Sequence, residues 1–476
     1  MTIDLSPEEF RALGHQVVDL LAERLGNMRE MPTRQPVPLA LREALMHEPL
    51  PADGSDPAQL IQRVVDEVLA YPMGNNSPRF FAWVNSPSAP LAWLADLLAA
   101  AHNPSVAGGD HSAVYVEHGL LNWLKQIMGY PQDSMGLLAS GGSVANIIGL
   151  AVMRHVKALG KIRAQGFSSE PAPMVVYTST QGHSCIQKAV ELLGIGSNYL
   201  RRIPTDEYFR MDVAKLRAQI ALDRMAGLRP VCVAASAGTV NTGAIDPLDE
   251  LADVCAAEKL WFHVDGAYGG LGILAEQTQG LFKGIERADS LAVDPHKWMY
   301  VPVECGCIFV RDAQAMRDAF SVMPPYLRDD RALPWFSEFG IQQTRSFKAL
   351  KLWMVMQQIG EKGYRELISH DVAMAQALQA KIRARADFQL VAAGSLSVTC
   401  FRYTPPGVED VVSLNKNLLP LVQAEGQAFL TGTELDGVYV LRACVVNFRT
   451  TEADLERLLD VLAEAGQRVL GGQSMI

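Results

Sequence analysis

His263-Val264-Asp265-Gly266-Ala267-Tyr268 and, further along, Asp294-Pro295-His296-Lys297-Trp298 are the stretches that decide how this chain is read. Each takes over from an apolar run with strand character, Leu260 to Val264 and Leu291 to Val293. A carboxylate and a lysine are therefore delivered at the ends of two buried strands. A lysine placed there can form a Schiff base with an aldehyde, and a buried aspartate nearby can hold a pyridine nitrogen protonated. Those are the two protein groups that pyridoxal 5'-phosphate (PLP) chemistry needs. A lone loop lysine is ordinarily just solvated; the pairing with Asp265 and with residues upstream argues for a cofactor.

Upstream, Ser140-Gly141-Gly142-Ser143 follows the apolar Gly136 to Ala139 and opens a helix running through Asn146 to His155. Glycines let backbone N–H groups turn toward an anion, the helix N-terminus adds partial positive charge, and Ser143 adds a hydroxyl. Alone, such a run is as readily a helix cap; with Asp265 and Lys297 downstream it reads as a phosphate cradle. His183 lies past a strand at a helix start, where an imidazole can stack on a pyridine ring and touch substrate. Ser236 and Asn241 follow another strand and suit either the cofactor rim or plain turn chemistry. Met323-Pro-Pro-Tyr326-Leu-Arg-Asp-Asp330 reads as a loop, with Tyr326 a candidate proton donor.

Around these motifs the chain divides into three. Residues 1–88 form a helical segment. Ser6-Pro7-Glu8-Glu9 signals a helix start, and Phe10, Leu13, Val17, Leu20, Leu21 and Leu25 mark one apolar face. From 89 to 355, strand candidates (Met174 to Thr178, Pro230 to Ala235, Leu260 to Val264, Leu291 to Val293) alternate with helices such as Ser184 to Leu193 and Leu248 to Glu258. That alternation predicts βαβ units: an α/β domain whose central, mostly parallel sheet is flanked by helices. Residues 356–476 read as a small α+β domain with a strand over Val440 to Val446 and a closing helix over Glu452 to Val469.

Composition narrows the classes of function. Of 476 residues, 49% are hydrophobic and 20% charged, as in an ordinary globular enzyme. The net charge of −10 argues against nucleic-acid partners and anionic membrane surfaces. No apolar run reaches membrane-spanning length, and the acidic, polar N-terminus lacks a secretory pattern. The 7 cysteines show no zinc spacing, so no metal is expected. Reduced thiols and a cytoplasmic location are the simplest expectation.

Taken together, Ser140 to Asn146, Gln181-Gly-His183-Ser, His263 to Tyr268, Asp294 to Trp298, Pro325-Tyr326-Leu, Arg79 to Trp83 and Arg345 to Trp353 closely resemble the group II PLP-dependent amino-acid decarboxylases. These have fold type I, and the group includes the aromatic-L-amino-acid and glutamate decarboxylases. The resemblance runs through nearly the whole chain in order. It implies that Lys297 carries the cofactor, Asp265 pairs with the pyridine nitrogen, His183 stacks on the ring and Ala267 packs on the other face. It also implies that Gly142, Ser143 and His296 hold the phosphate with Asp294 close by. Tyr326 would sit on a loop reaching the neighbouring active site of a homodimer, whose N-terminal helices wrap the partner. Phe81 and Trp83 fall in the segment that lines the substrate pocket of the family. Val84 and Ala107 replace residues that are often aromatic in the aromatic-specific members, and Thr344 stands where plant members often carry Gly or Ser.

The reaction implied is α-decarboxylation of an L-amino acid, most simply an aromatic one, to the amine and CO2. Tyr326 and His183 would assist protonation of Cα. Alternatives are an oxidative deaminase releasing an aldehyde, which in the family often goes with Phe in place of the loop Tyr, and a decarboxylase of an acidic or diamino acid. Another fold type I enzyme is a further rival, but a cysteine desulfurase needs a loop cysteine, and residues 310–340 contain none. A scaffold without catalysis would not need both Lys297 and Asp265.

Overall fold

The computed structural model describes residues 3–322 and 333–472. It contains two compact units, one comprising Val84–Gln376 and Ala392–Thr399, the other the described residues of Met1–Trp83, Ala377–Val391 and Cys400–Ile476.

The larger unit is built on seven strands: β1 (Met135–Ala139), β2 (Met174–Ser179), β3 (Leu200–Ile203), β4 (Arg229–Ser236), β5 (Trp261–Gly266), β6 (Ser290–Val293) and β7 (Gly306–Val310). They lie in the order β1-β7-β6-β5-β4-β2-β3. The pairs β2–β3, β2–β4, β4–β5 and β5–β6 are parallel, while β7 is antiparallel to both β6 and β1. The apolar runs seen in the sequence follow from burial on both faces: every residue of β1, β2, β5, β6 and β7 is buried. The register sets Ser236 opposite Asp265 and Asp265 opposite Ala292, so the site residues line up across the sheet. Because β1 runs in the same sense as β6, the loops after β1, β2, β4, β5 and β6 open on one edge. Ligands of parallel sheets bind at this carboxyl edge.

A buried ion pair anchors the segment before the sheet. Arg345 bonds Glu117 in the helix Ser112–Ile127 and also donates to the carbonyls of Val106 (2.8 Å) and Leu138 (2.7 Å). Its guanidinium lies over the Phe336 ring at 4.9 Å. Burial pushes the Glu117 carboxyl up despite the adjacent guanidinium.

In the smaller unit, the helix Pro7–Asn27 begins with the capping box that Ser6 and Glu9 foretell. Asp56 caps Pro57–Val64, and a π-turn over Val65–Leu69 continues it. A second sheet holds β8 (Phe388–Ala393), β9 (Val398–Tyr403), β10 (Thr431–Leu435) and β11 (Val438–Cys444), in the order β10-β11-β9-β8. β11 covers most of the expected Val440 to Val446 strand and begins two residues earlier. The closing helix Glu452–Leu470 opens with a capping box of Thr451 and Asp454, and Asp454 also receives Arg29 at 2.9 Å. The Arg79 to Trp83 stretch is sewn to β11 and to the segment before β10: Phe81 donates to Phe429 (2.7 Å) and accepts from Cys444 (2.9 Å), and Arg442 donates to the Trp83 carbonyl (2.8 Å). Among the described residues no helix is long and apolar enough to cross a membrane.

Candidate active site

At the carboxyl edge of the large sheet lies a cavity of about 360 Å3. Gly142, Ser143, His183, Ser236, Asp265, Ala267, Asp294, His296 and Lys297 all line it, although four separate loops and two strands deliver them.

The cradle follows β1. Gly142 opens the helix Gly142–Lys157, and its place is tight: a Cβ there would lie 2.8 Å from both the Ala267 Cβ and Asp294 Oδ2. Gly306, at the start of β7, makes room for the cradle from below, since a Cβ on it would come within 2.5 Å of the Gly141 backbone. Backbone N–H groups of a 16-residue helix N-terminus, the Ser143 hydroxyl and His296 surround this end. His296 is anchored at Nδ1 by the Cys305 carbonyl (2.8 Å), and burial lowers its pKa.

Lys297 rides on the one-turn helix Pro295–Trp298. Trp298 fixes that turn: it is fully buried, donates Nε1–H to Asp371 (3.0 Å) and stacks on Tyr268 at 5.4 Å. The Lys297 Nζ lies 3.1 Å from Asp294 Oδ2, while Asp294 Oδ1 is buried without a hydrogen-bond partner. An orphaned buried acceptor beside a cavity asks for a donor from a ligand. Asp265 accepts the Ala267 amide at Oδ1 (3.1 Å) and the Cys185 thiol at Oδ2 (3.5 Å). His183 caps the helix Ser184–Leu192 by accepting the Cys185 N–H at Nδ1 (3.2 Å), which puts its ring proton on Nε2. Burial lowers its pKa, and the charge of Asp265 only partly opposes this.

Other residues singled out in the sequence fall elsewhere. Asn241 is outside the lining and donates to Gln181 (3.0 Å). Thr239 and Thr242 pair at 3.0 Å within the turn, while Ser236, Gly238, Thr239 and Val240 all line the cavity. Thr344 is exposed and is not in the lining. Phe81 and Trp83 belong to the smaller unit, the former fully buried and the latter half exposed. Tyr326 lies outside the described residues. The structure adds Asn146, Cys185 and Gly306, of which sequence reading had recognised no role. Asn146 stood within a quoted motif, but only the neighbouring strands reveal what its amide meets. Among the described residues no cluster of His, Cys, Asp or Glu suits a metal ion.

A lysine, a buried carboxylate and a glycine-opened helix around one cavity at the carboxyl edge of a parallel sheet define a PLP-dependent α/β enzyme. Comparison with known proteins gives the family. The model of the pyridoxal-dependent decarboxylase conserved domain matches residues 38–404. An aromatic-L-amino-acid decarboxylase of Bacillus atrophaeus is 34% identical, over 96% of this chain and 95% of that protein. A phenylacetaldehyde synthase of a Rosa hybrid cultivar is 29% identical over 99% and 96%. The crystal structure of Oryza sativa TDC with PLP and tryptamine superposes with a TM-score of 0.91, at 26% identity, over 98% of this chain and 100% of that one. The chain belongs to the pyridoxal-dependent decarboxylase family, and it is a PLP-dependent amino-acid decarboxylase.

Proposed function

We propose that this enzyme removes the α-carboxylate of an aromatic L-amino acid and releases the amine and CO2. The observation that carries the reading is the gathering of Lys297, Asp265, His183 and the Gly142–Ser143 helix start around one cavity. The aromatic preference rests on the relative from Bacillus atrophaeus, whose name states that substrate class.

The cavity fits PLP on its own terms. Gly142 has no room for a side chain where the helix start faces the cavity, and an amine and a carboxylate, Lys297 and Asp265, line the same cavity. When bound, PLP supplies an electron sink for the pair left on Cα as CO2 departs. The protein's own groups do the rest. The helix N-terminus, Ser143 and His296 hold the phosphate, with Asp294 beside them. The Asp265 carboxylate keeps the ring nitrogen protonated by charge pairing. Ala267 and His183 would pack against the ring, and Ser236 would lie near its rim, since all three line the cavity. Lys297 supplies the amine that would carry the cofactor, and Asp294 Oδ2 lies 3.1 Å from its Nζ. Tyr326, with the His183 Nε2–H, delivers the proton to Cα. Phe81, Trp83 and Thr344 are the proposed substrate-side residues.

A second outcome, an aldehyde, is favoured by one observation, the likeness to a phenylacetaldehyde synthase. The tyrosine at position 326 argues for the amine. Both are tested by incubating the holoenzyme with a panel of aromatic, acidic and diamino acids and assaying amine, CO2, aldehyde and peroxide together. Amine and CO2 from aromatic substrates support the reading. Turnover confined to acidic or diamino acids, or aldehyde as the main wild-type product, rejects it. Tyr326→Phe should slow amine release and raise the aldehyde share.

We also infer a cytoplasmic homodimer with shared active sites. The helix Pro7–Asn27 has no buried residue, and Phe10 and Val18 remain 60% and 46% exposed, which is how a helix looks before a second copy covers it.

A further inference from the structure

Beneath the cavity runs a chain of buried hydrogen bonds that the reaction as described does not use. The Trp261 indole N–H donates to Ser290 Oγ (2.8 Å), and Ser290 Oγ meets His263 Nδ1 (2.8 Å). His263 Nε2 meets Asn146 Oδ1 (2.6 Å). The Asn146 amide then reaches the Gly142 carbonyl (2.8 Å) and Cys185 Sγ (3.4 Å), and the thiol reaches Asp265 Oδ2 (3.5 Å). Ser290, His263 and Asn146 are fully buried and Cys185 is 2% exposed.

The direction of the chain is forced at both ends. An indole can only donate and a backbone carbonyl can only accept. The Asn146 NH2 must therefore face Gly142 and its oxygen must face His263, so His263 carries its proton on Nε2 and accepts from the Ser290 hydroxyl at Nδ1. Burial keeps this imidazole neutral, with its pKa pushed down to about 4, and holds the Cys185 thiol in its S–H form. Room for the ring is made by Gly149, where a Cβ would lie 3.0 Å from His263 Cε1. The chain ends on two groups of the site: the residue that opens the phosphate cradle and the carboxylate at the ring nitrogen.

We propose that Asn146 is a positioning residue that sets the phosphate cradle and Asp265 in one fixed register, with His263 holding its amide in place and Cys185 passing the hydrogen bond on to the carboxylate. The inference rests on the assignment of Asp265 to the ring nitrogen. A fork at one amide ties the two ends of the cofactor site together: Gly142 cannot shift along the helix without disturbing the donor to Cys185. Cys185 acts only on the ring end. Its hydrogen bond fixes the plane of the Asp265 carboxylate.

The forked geometry makes the test specific. PLP dissociation constants, the visible band of the bound cofactor as a function of pH, and kcat and KM are measured on holoenzymes. Asn146→Ala should weaken PLP binding about tenfold, shift the pH midpoint of the visible band and lower kcat about tenfold, with substrate KM within about twofold. Cys185→Ala should shift the band and lower kcat but leave PLP affinity within about twofold, and Cys185→Ser, which retains a donor, should restore both. A merely structural role would lower Tm without moving the spectrum of the folded holoenzyme. Wild-type spectrum and PLP affinity in Asn146→Ala overturn the proposal. Should that variant not fold, a wild-type spectrum and rate in Cys185→Ala overturn it. Asp265→Asn is the control: an unaltered spectrum and rate there remove the role of Asp265 and the relay with it. An altered Asp265→Asn beside unaltered Asn146 and Cys185 variants removes the relay alone.

Discussion

Lys297 and Gly142 show how much a single position carries. Among the described residues Lys297 is the only lysine lining the cavity, and its one-turn helix is pinned through Trp298, so no neighbouring side chain replaces its amine. Lys297→Ala should lower kcat on the order of a thousandfold or more, and borohydride should fix the cofactor to this lysine in the wild type. Peptide mapping checks the site, and label on any other lysine rejects it. Gly142→Ala adds one methyl where the Ala267 Cβ and Asp294 Oδ2 already stand 2.8 Å away. Overpacking of this kind costs about 1–3 kcal/mol, and here relief means moving the helix start that faces the phosphate. PLP affinity should fall about tenfold or more, read by cofactor titration. An unchanged dissociation constant would show that the cradle tolerates the methyl.

Elements are held by buried polar contacts whose energetics are testable. Glu117 in the helix Ser112–Ile127 faces Arg345, and both are almost fully buried. Removing one partner of a buried pair leaves an uncompensated charge and costs about 3–5 kcal/mol. Glu117→Gln should lower denaturant stability by that order; a loss below about 1 kcal/mol would mean that Arg345 is satisfied by the Val106 and Leu138 carbonyls alone. His263 on β5 makes a pH prediction. Its folded pKa of about 4 lies below its unfolded value of 6.5. Below the unfolded value the unfolded chain binds a proton that the folded one refuses, so stability falls as pH drops from 6.5 toward 4. His263→Gln lacks this titration. Its deficit relative to wild type should therefore shrink by about 1.4 kcal/mol per pH unit on acidification through that window. Parallel stability curves for the two proteins would contradict this assignment.

On the scale of the molecule, the proposed dimer concerns the smaller unit. Val17, Leu20 and Leu21 of the helix Pro7–Asn27 border an apolar groove of about 240 Å3 with Leu60, Ile61 and Val64. A charge placed in an apolar contact between copies has no partner and must be desolvated. Leu21→Glu should shift sedimentation from dimer to monomer and, if the proposed dimer shares its sites, abolish most activity. A dimeric, active Leu21→Glu would place the contact elsewhere.

Much of this could be read from local chemistry alone. The α/β class, the parallel sheet and the site motifs were legible because burial on both faces leaves continuous apolar runs, and because glycine, lysine and aspartate at strand ends have narrow uses. The capping box at Ser6 was equally plain, since a cap involves only residues three apart. Other features depend on partners far along the chain and leave no local mark. Ser236 and Asn241 stand five residues apart in one polar run, yet Ser236 ends β4 with its register beside Asp265 while Asn241 lies in the turn that follows. The antiparallel β7 and its Gly306, the Arg345–Glu117 pair and the single compact unit shared by the N-terminal helices and the C-terminal strands all required strand order. The relay from Trp261 to Asp265 is the clearest case. Its residues are ordinary letters on four elements, and only the packing of the helices Gly142–Lys157 and Ser184–Leu192 near β5 and β6 brings their donors and acceptors within bonding distance.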